Sequence, residues 1–208
     1  MDASGGARRS RLGHCRDRVG RLDGVLGVSS PHGIAMILRF VLFQCVWLCC
    51  AFGAVWEMPI VGIAAALACV GGCIATDPSP RRALLLQVLV AMIGLLGESA
   101  LVAGGIVAYA SPWPSPKLAP AWIVALWMAF GTTLRDTSAL LGKRAKLLAG
   151  LLGFLLAPAS YLGAERMGAV AFERPMLHVW FAIAILWAMA YPTLLALDER
   201  VHPRAPLA

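Results

Sequence analysis

Six uninterrupted apolar runs leave few folds open to this chain: Met36–Val55, Pro59–Thr76, Ala83–Ala108, Pro120–Ala139, Ala145–Gly163 and Met176–Leu197. Each is close to the ~20 residues with which a helix crosses a ~30 Å hydrocarbon layer. None alternates apolar and polar residues with period two, so helices rather than barrel strands are expected to satisfy the backbone within lipid. The remainder of the 208 residues cannot supply a polar skin, because hydrophobic residues reach 60% and charged residues only 14%. An average soluble chain has roughly 45–50% and ~25%. The expected fold class is therefore all-α. It is a polytopic transmembrane helix bundle of six spans over residues 34–198, with a disordered basic tail at 1–33 and a short tail at 199–208.

Short connections confine any site to the helices and their ends. Trp56-Glu57-Met58 makes a tight hairpin, and Pro78 and Pro80 stop the second span because proline cannot continue a helix. Four prolines between Ser111 and Pro120 favour an extended segment. The third run is long, and either the helix tilts or its end around Gly104-Gly105 unwinds.

Charge then sets orientation. With six spans the N-terminal tail, the second and fourth connections and the C-terminal tail share one side, which carries 13 of the 18 Lys and Arg residues. The opposite side has only Lys117, Arg166 and Arg174, while Arg39 and Arg135 fall within spans. The positive-inside rule places both termini in the cytoplasm. Trp56, Trp113 and Trp122 then fall at the outer boundary, where aromatic belts sit. The net charge of +7 is read in the same way. No nucleic-acid-binding motif accompanies it, so no nucleic-acid partner is expected. Arg8-Arg9 fits an export signal poorly, because the apolar run starts far downstream; translation from Met36 is the alternative reading of this tail.

Charged and polar side chains are expensive in hydrocarbon, so each one within a span needs a reason. They fall into three layers. Near the midplane lie Gln44 and Glu98, within ~6 Å in depth at 1.5 Å rise per residue. Glu98 is the best candidate for chemistry, since a carboxyl at that depth suits proton handling. The plainer alternative is a hydrogen bond to Gln44 or a backbone carbonyl that holds helices together. Nearer the cytoplasm lie Arg39, Arg135 and Asp136. They suit either an anionic lipid head group or two snorkelling arginines with Asp136 as counter-ion, Arg39 and Asp136 being level enough to pair. Toward the outer face Glu57, Tyr161, Glu165 and Arg166, with Tyr109 and Trp113 at similar depth, could line an outward-facing pocket. Pro158 is expected to kink the helix beneath Tyr161.

Glycines and alanines within the spans, among them Gly62, Gly71, Gly72, Gly94, Gly97, Gly150 and Gly153, suit close helix packing. Cys45/Cys49 and Cys69/Cys73 each share a helix face. Four thiols would meet if the first two spans pair, but cysteine also packs well as a small apolar residue, and no histidine accompanies them. No metal site and no cofactor are expected. The sequence has no phosphate-binding loop, nucleophile elbow or His-Glu-x-x-His.

Several strings are distinctive. Phe43-Gln44 is followed by Trp47. Pro120, Trp122, Leu126-Trp127, Phe130 and Thr132-Thr133-Leu134 mark the fourth span. Pro158-Ala159-Ser160-Tyr161-Leu162-Gly163 leads to Arg166, Gly168 and Ala169. Over roughly residues 37–197 the chain resembles an uncharacterised bacterial integral-membrane family, domain of unknown function 2878. The resemblance implies an inner-membrane protein without an assigned activity, loosely associated with membrane-lipid modification. Three functions follow as expectations. The first is an enzyme or accessory factor acting on a lipid or another hydrophobic ligand. The second is a small proton-coupled transporter, although the two halves show no internal repeat. The third is a non-catalytic scaffold for a partner subunit. The oligomeric state is not legible.

Overall fold

The structure is a computed structural model that describes residues 31–203. Most of the expected N-terminal tail, with its six arginines and Cys15, and the last five residues lie outside the described residues. The chain divides into two compact units, Met1–Val41 and Leu42–Ala208. Of the first, the described part is the start of helix α1 (Pro31–Val55), on which Arg39 is exposed. All that follows concerns the second unit.

Helix α2 (Pro59–Thr76) folds back on α1 through the hairpin expected from sequence. Glu57 takes a positive φ of 59° there, and the Met58 N–H closes onto the Gly53 carbonyl at 2.7 Å. Pro59 opens α2 and Pro80 opens α3 (Pro80–Ala103), each in the first turn, where the missing N–H has no helical partner to lose. The two arms of the hairpin touch backbone to backbone: a Cβ on Gly62 would lie 2.4 Å from the Cys50 Cα.

The end of the third run unwinds. Helix α3 stops at Ala103, and Gly105, at φ 59°, turns the chain into a short strand, β1 (Val107–Tyr109). This strand pairs antiparallel with β2 (Val170–Phe172), with Val107 opposite Phe172 and Tyr109 opposite Val170. Arg174 pins the turn by donating from Nε to the Gly105 carbonyl at 3.1 Å. Hydropathy does not mark these strands, because Ile106–Ala108 continues the third apolar run and three-residue strands carry no period of their own.

The bundle has the six apolar helical stretches expected, but the fourth run, Pro120–Ala139, is not one helix. It divides into α4 (Ala121–Gly131) and α5 (Leu134–Leu141). Thr132 and Thr133 keep right-handed dihedrals, but their N–H groups bond to Ala129 and Phe130, three residues back. Their hydroxyls bond to the same two carbonyls, at 2.7 and 2.8 Å. Side chains that compete for helix carbonyls in this way tighten and interrupt a helix. The eleven residues of α4 reach only about 16 Å, half of a ~30 Å layer. Gly142, at φ 62°, and a 3-10 turn, Gly142–Arg144, lead into α6 (Ala145–Arg166), and α7 (Met176–Val201) closes the fold. Among the described residues five helical stretches are long and apolar enough to cross a membrane, α4 being the shorter sixth.

The arrangement is a membrane bundle in its surfaces as well as its lengths. Leu67, Leu96, Leu155, Leu177 and Met189 are exposed around the outside, whereas Glu98, Gln87, Thr133, Thr137, Ser138 and Asp198 are buried. A soluble protein would invert that distribution. Small residues let the helices close up. Gly153 of α6 faces the Trp187 carbonyl of α7, which an added Cβ would approach to 2.6 Å, and Gly94 of α3 faces the Trp127 ring of α4 at 2.4 Å. Gly71 and Gly72 meet nothing within 4 Å, so those two do not serve packing among the described residues.

A buried carboxyl beside an aromatic cavity

Glu98 lies in the last turns of α3 and is fully buried. Three elements bring donors to it. The reversal at Gly104-Gly105 carries β1 back so that the Tyr109 hydroxyl donates to Oε2 at 2.5 Å. From α4 the Trp127 indole donates to Oε1 at 2.8 Å, and from α6 the Tyr161 hydroxyl donates to the same oxygen. Two tyrosines and a tryptophan thus converge on one carboxyl in an apolar bundle, which is the compensation that burial of such a group demands.

Aromatic rings hold the donors in place. Trp122 meets Tyr109 edge-on at 5.7 Å and anchors its own indole on the Ala110 carbonyl at 3.0 Å. Trp127 stacks on Trp187 of α7 at 4.4 Å, and Phe130 stands edge-on to Trp187 at 5.2 Å. In front of Tyr161 these rings enclose a cavity of about 310 Å³. Its wall contains Trp47, Trp122, Trp127, Phe130, Tyr161 and Trp187, and Glu98 stands behind it rather than in it. Gln44 of α1 and Ser160 of α6 line the cavity and are themselves exposed, so its mouth lies between these two helices.

The sequence-derived residues fall out differently from their expected layers. Gln44 and Glu98 both belong to this region, but Glu98 spends its oxygens on Tyr109, Tyr161 and Trp127 and not on Gln44. Tyr161 faces Glu98 and the cavity rather than grouping with the charges expected around it. Of those, Glu57 is exposed in the hairpin turn, Arg166 is exposed and Glu165 half-buried at the end of α6. Arg135 forms an ion pair with Asp77 at 3.0 Å, while Asp136 is half-buried on α5. Trp127 and Trp187 were missed as site residues. Trp127 stood in a recognisable string, whereas nothing in the sequence distinguishes Trp187 from a packing residue.

Asp77 was also missed. Its carboxylate accepts from the Ser79 N–H at 2.8 Å and from Arg135, and His202 stands 3.9 Å away. His202 also contacts Asp198 at 3.0 Å. Burial opposes ionisation of Asp77, but the Ser79 amide, the Arg135 guanidinium and His202 outweigh it and hold the carboxyl below the ordinary aspartate value. Among the described residues no three His, Cys, Asp or Glu side chains are placed to hold a metal, so the four span thiols do not form such a cluster.

Fold and site together define a multi-pass membrane protein with a hydrogen-bonded carboxyl buried beside an aromatic cavity. Over residues 36–193 the chain matches the family described as protein of unknown function DUF2878, and it belongs to that family. Comparisons with curated proteins and with solved structures gave no match.

Proposed function

We propose that this protein acts on a membrane lipid or another hydrophobic molecule, as an enzyme or an accessory factor in lipid modification, in a bacterial inner membrane with both termini in the cytoplasm. One observation carries the reading: the Glu98–Tyr161 hydrogen bond stands at the wall of an aromatic cavity whose mouth faces sideways between α1 and α6. Pockets that bind small molecules are concave and mostly apolar, with few convergent polar groups. Here Tyr161 lines the cavity and hands its hydroxyl to the carboxyl behind it, an arrangement suited to acid–base work beside a bound ligand. The charge needed for an anionic head-group site near Arg135 is already engaged by Asp77, which favours the cavity over that alternative.

Lipid profiling of a deletion strain complemented with Glu98→Gln or Tyr161→Phe tests the reading. A lipid class that changes on deletion and is not restored by either variant, at unchanged protein abundance, is the expected result. An unchanged lipid profile on deletion would remove the proposal. Full complementation by both variants, with a subunit co-purifying, would favour the scaffold.

A further inference from the structure

We infer that the cavity holds one acyl chain of a glycerophospholipid whose phosphate rests on Arg166, so that the chain and not the head group lies beside Tyr161. The inference rests on the functional reading above for the identity of the site, and names the lipid class and the part of it that the site receives.

The wall selects hydrocarbon because its polar atoms are turned away from the space they enclose. The Tyr161 hydroxyl and the Trp127 indole are spent on Glu98. The Trp122 indole is spent on the Ala110 carbonyl. The Trp187 indole nitrogen is buried and turned to the Tyr161 hydroxyl. What these four rings offer the cavity is carbon. No lining residue carries a formal charge, so a phosphate inside would lose its water and gain no counter-charge. The polar remainder, Gln44 and Ser160, is exposed at the mouth.

The proportions suit a chain. The lining follows α1 from Phe43 to Ala51 and α4 from Phe130 back to Trp122, about 12 Å of rise on each. Phe43 and Phe130 meet edge-on at 5.8 Å at the deep end, while Ala51 and Trp122 mark the end toward the α1–α2 hairpin. The volume of about 310 Å³ is at the low end of the ~300–1,000 Å³ that ligand sites occupy. It takes one chain standing along the bundle and not a whole two-chain lipid.

Arg166 supplies the head-group end. Ala159, Gly163 and Arg166 follow one another at spacings of four and three on α6 and share a face. Ala159 and Gly163 line the cavity, and Arg166 stands about 4.5 Å further toward the hairpin end. Arg166 is exposed, and no carboxylate pairs with it among the described residues. A guanidinium in that place matches a phosphate with two parallel hydrogen bonds. The chain below it passes sideways between α1 and α6. Gly163 keeps that passage open: a Cβ there would lie 3.8 Å from the Trp47 ring, and a larger side chain would fill the gap.

The test uses the full chain in dioleoylphosphatidylcholine nanodiscs doped with a phosphatidylcholine that carries a diazirine at the end of one acyl chain. Irradiation and peptide mapping give the readout. Helix α4 decides, because none of its residues is exposed and a probe reaches it only through the cavity. Saturable adducts on Leu126 or Phe130 are the expected result. Gly163→Phe should remove them while adducts on exposed Leu155 persist. Arg166→Ala should lower them about two- to fivefold, the range of an exposed ion pair. Adducts confined to the outer helix faces would overturn the inference. So would α4 adducts of equal yield from a diacylglycerol with the same diazirine chain, which lacks the phosphate, or α4 adducts from a probe with the diazirine on its choline group. If Gly163→Phe fails to fold, the ranking of the three probes on the unaltered protein decides alone. Chain-end labelling of α4 with an unchanged deletion lipidome would uphold the bound phospholipid and sink only the lipid-modification reading. A lipid phenotype with no α4 labelling would do the reverse.

Discussion

Replacing Glu98 tests the three hydrogen bonds that its carboxyl accepts. Glu98→Leu leaves the Tyr109 and Tyr161 hydroxyls and the Trp127 indole without their acceptor. A buried polar group stripped of its partner costs about 1–3 kcal/mol. Glu98→Gln keeps one carbonyl oxygen in place. Thermal unfolding of the full chain in detergent should therefore rank wild type above Gln and Gln well above Leu. A Leu variant as stable as the Gln variant would mean that the carboxyl does not hold the tyrosines. Asp77 makes a second prediction at this scale. Its folded value lies below its ordinary one, so the stability it contributes is present above about pH 3.9 and is lost as pH falls through the depressed folded value. Unfolding midpoints measured from pH 6 downward should fall less steeply for Asp77→Asn than for wild type; parallel profiles would refute the linkage. Glu98 was visible in the sequence because a carboxyl inside an apolar run stands out whatever the fold. Its partners were not. Tyr109 lies beyond a helix end that the hydropathy does not mark, and Tyr161 lies in another helix whose vertical offset relative to α3 is set by packing.

Close approach of α6 to α7 is where the helices decide stability. Gly153 lets the Trp187 backbone of α7 come within 2.6 Å of where a Cβ would stand, and backbone cannot step aside as a side-chain tip can. Gly153→Leu should lower the thermal midpoint sharply, by the equivalent of about 1–3 kcal/mol for an overpacked core position. Gly71→Ala, with nothing within 4 Å, should change it little or raise it slightly, since alanine is the better helix former. Similar effects at the two positions would show that small residues in these spans serve composition and not contact. Helix existence was legible from the apolar runs because it depends on length and continuity, which lipid enforces. The break between α4 and α5 was not, since Thr132-Thr133 in a hydrophobic run reads equally as two tolerated helix residues. It becomes a break because both hydroxyls turn back onto carbonyls.

Over the whole molecule, contacts at the two ends of the bundle agree with the charge asymmetry. At one end Asp77, between α2 and α3, meets Arg135 of α5 and His202 after α7, and Lys146 of α6 pairs with Glu199 at 2.6 Å. Toward the other, the Ser111 hydroxyl of the β1–α4 connection bonds to the Ala54 carbonyl near the α1–α2 hairpin, whose exposed Trp56 has a counterpart in exposed Trp113. The first end gathers the basic connections, and lysine and arginine are retained on the cytoplasmic side during insertion. The orientation can be read with single cysteines placed in a variant whose six native cysteines are replaced. Lys143→Cys should react with a membrane-impermeant maleimide only after cells are opened, and Trp113→Cys should react in intact cells. The opposite pattern would invert the protein in its membrane. It would leave the Glu98 network and the cavity intact but place their nearer end toward the cytoplasm. Labelling of both sites from outside would mean that the α4–α5 pair does not complete a crossing, and the two termini would then lie on opposite sides.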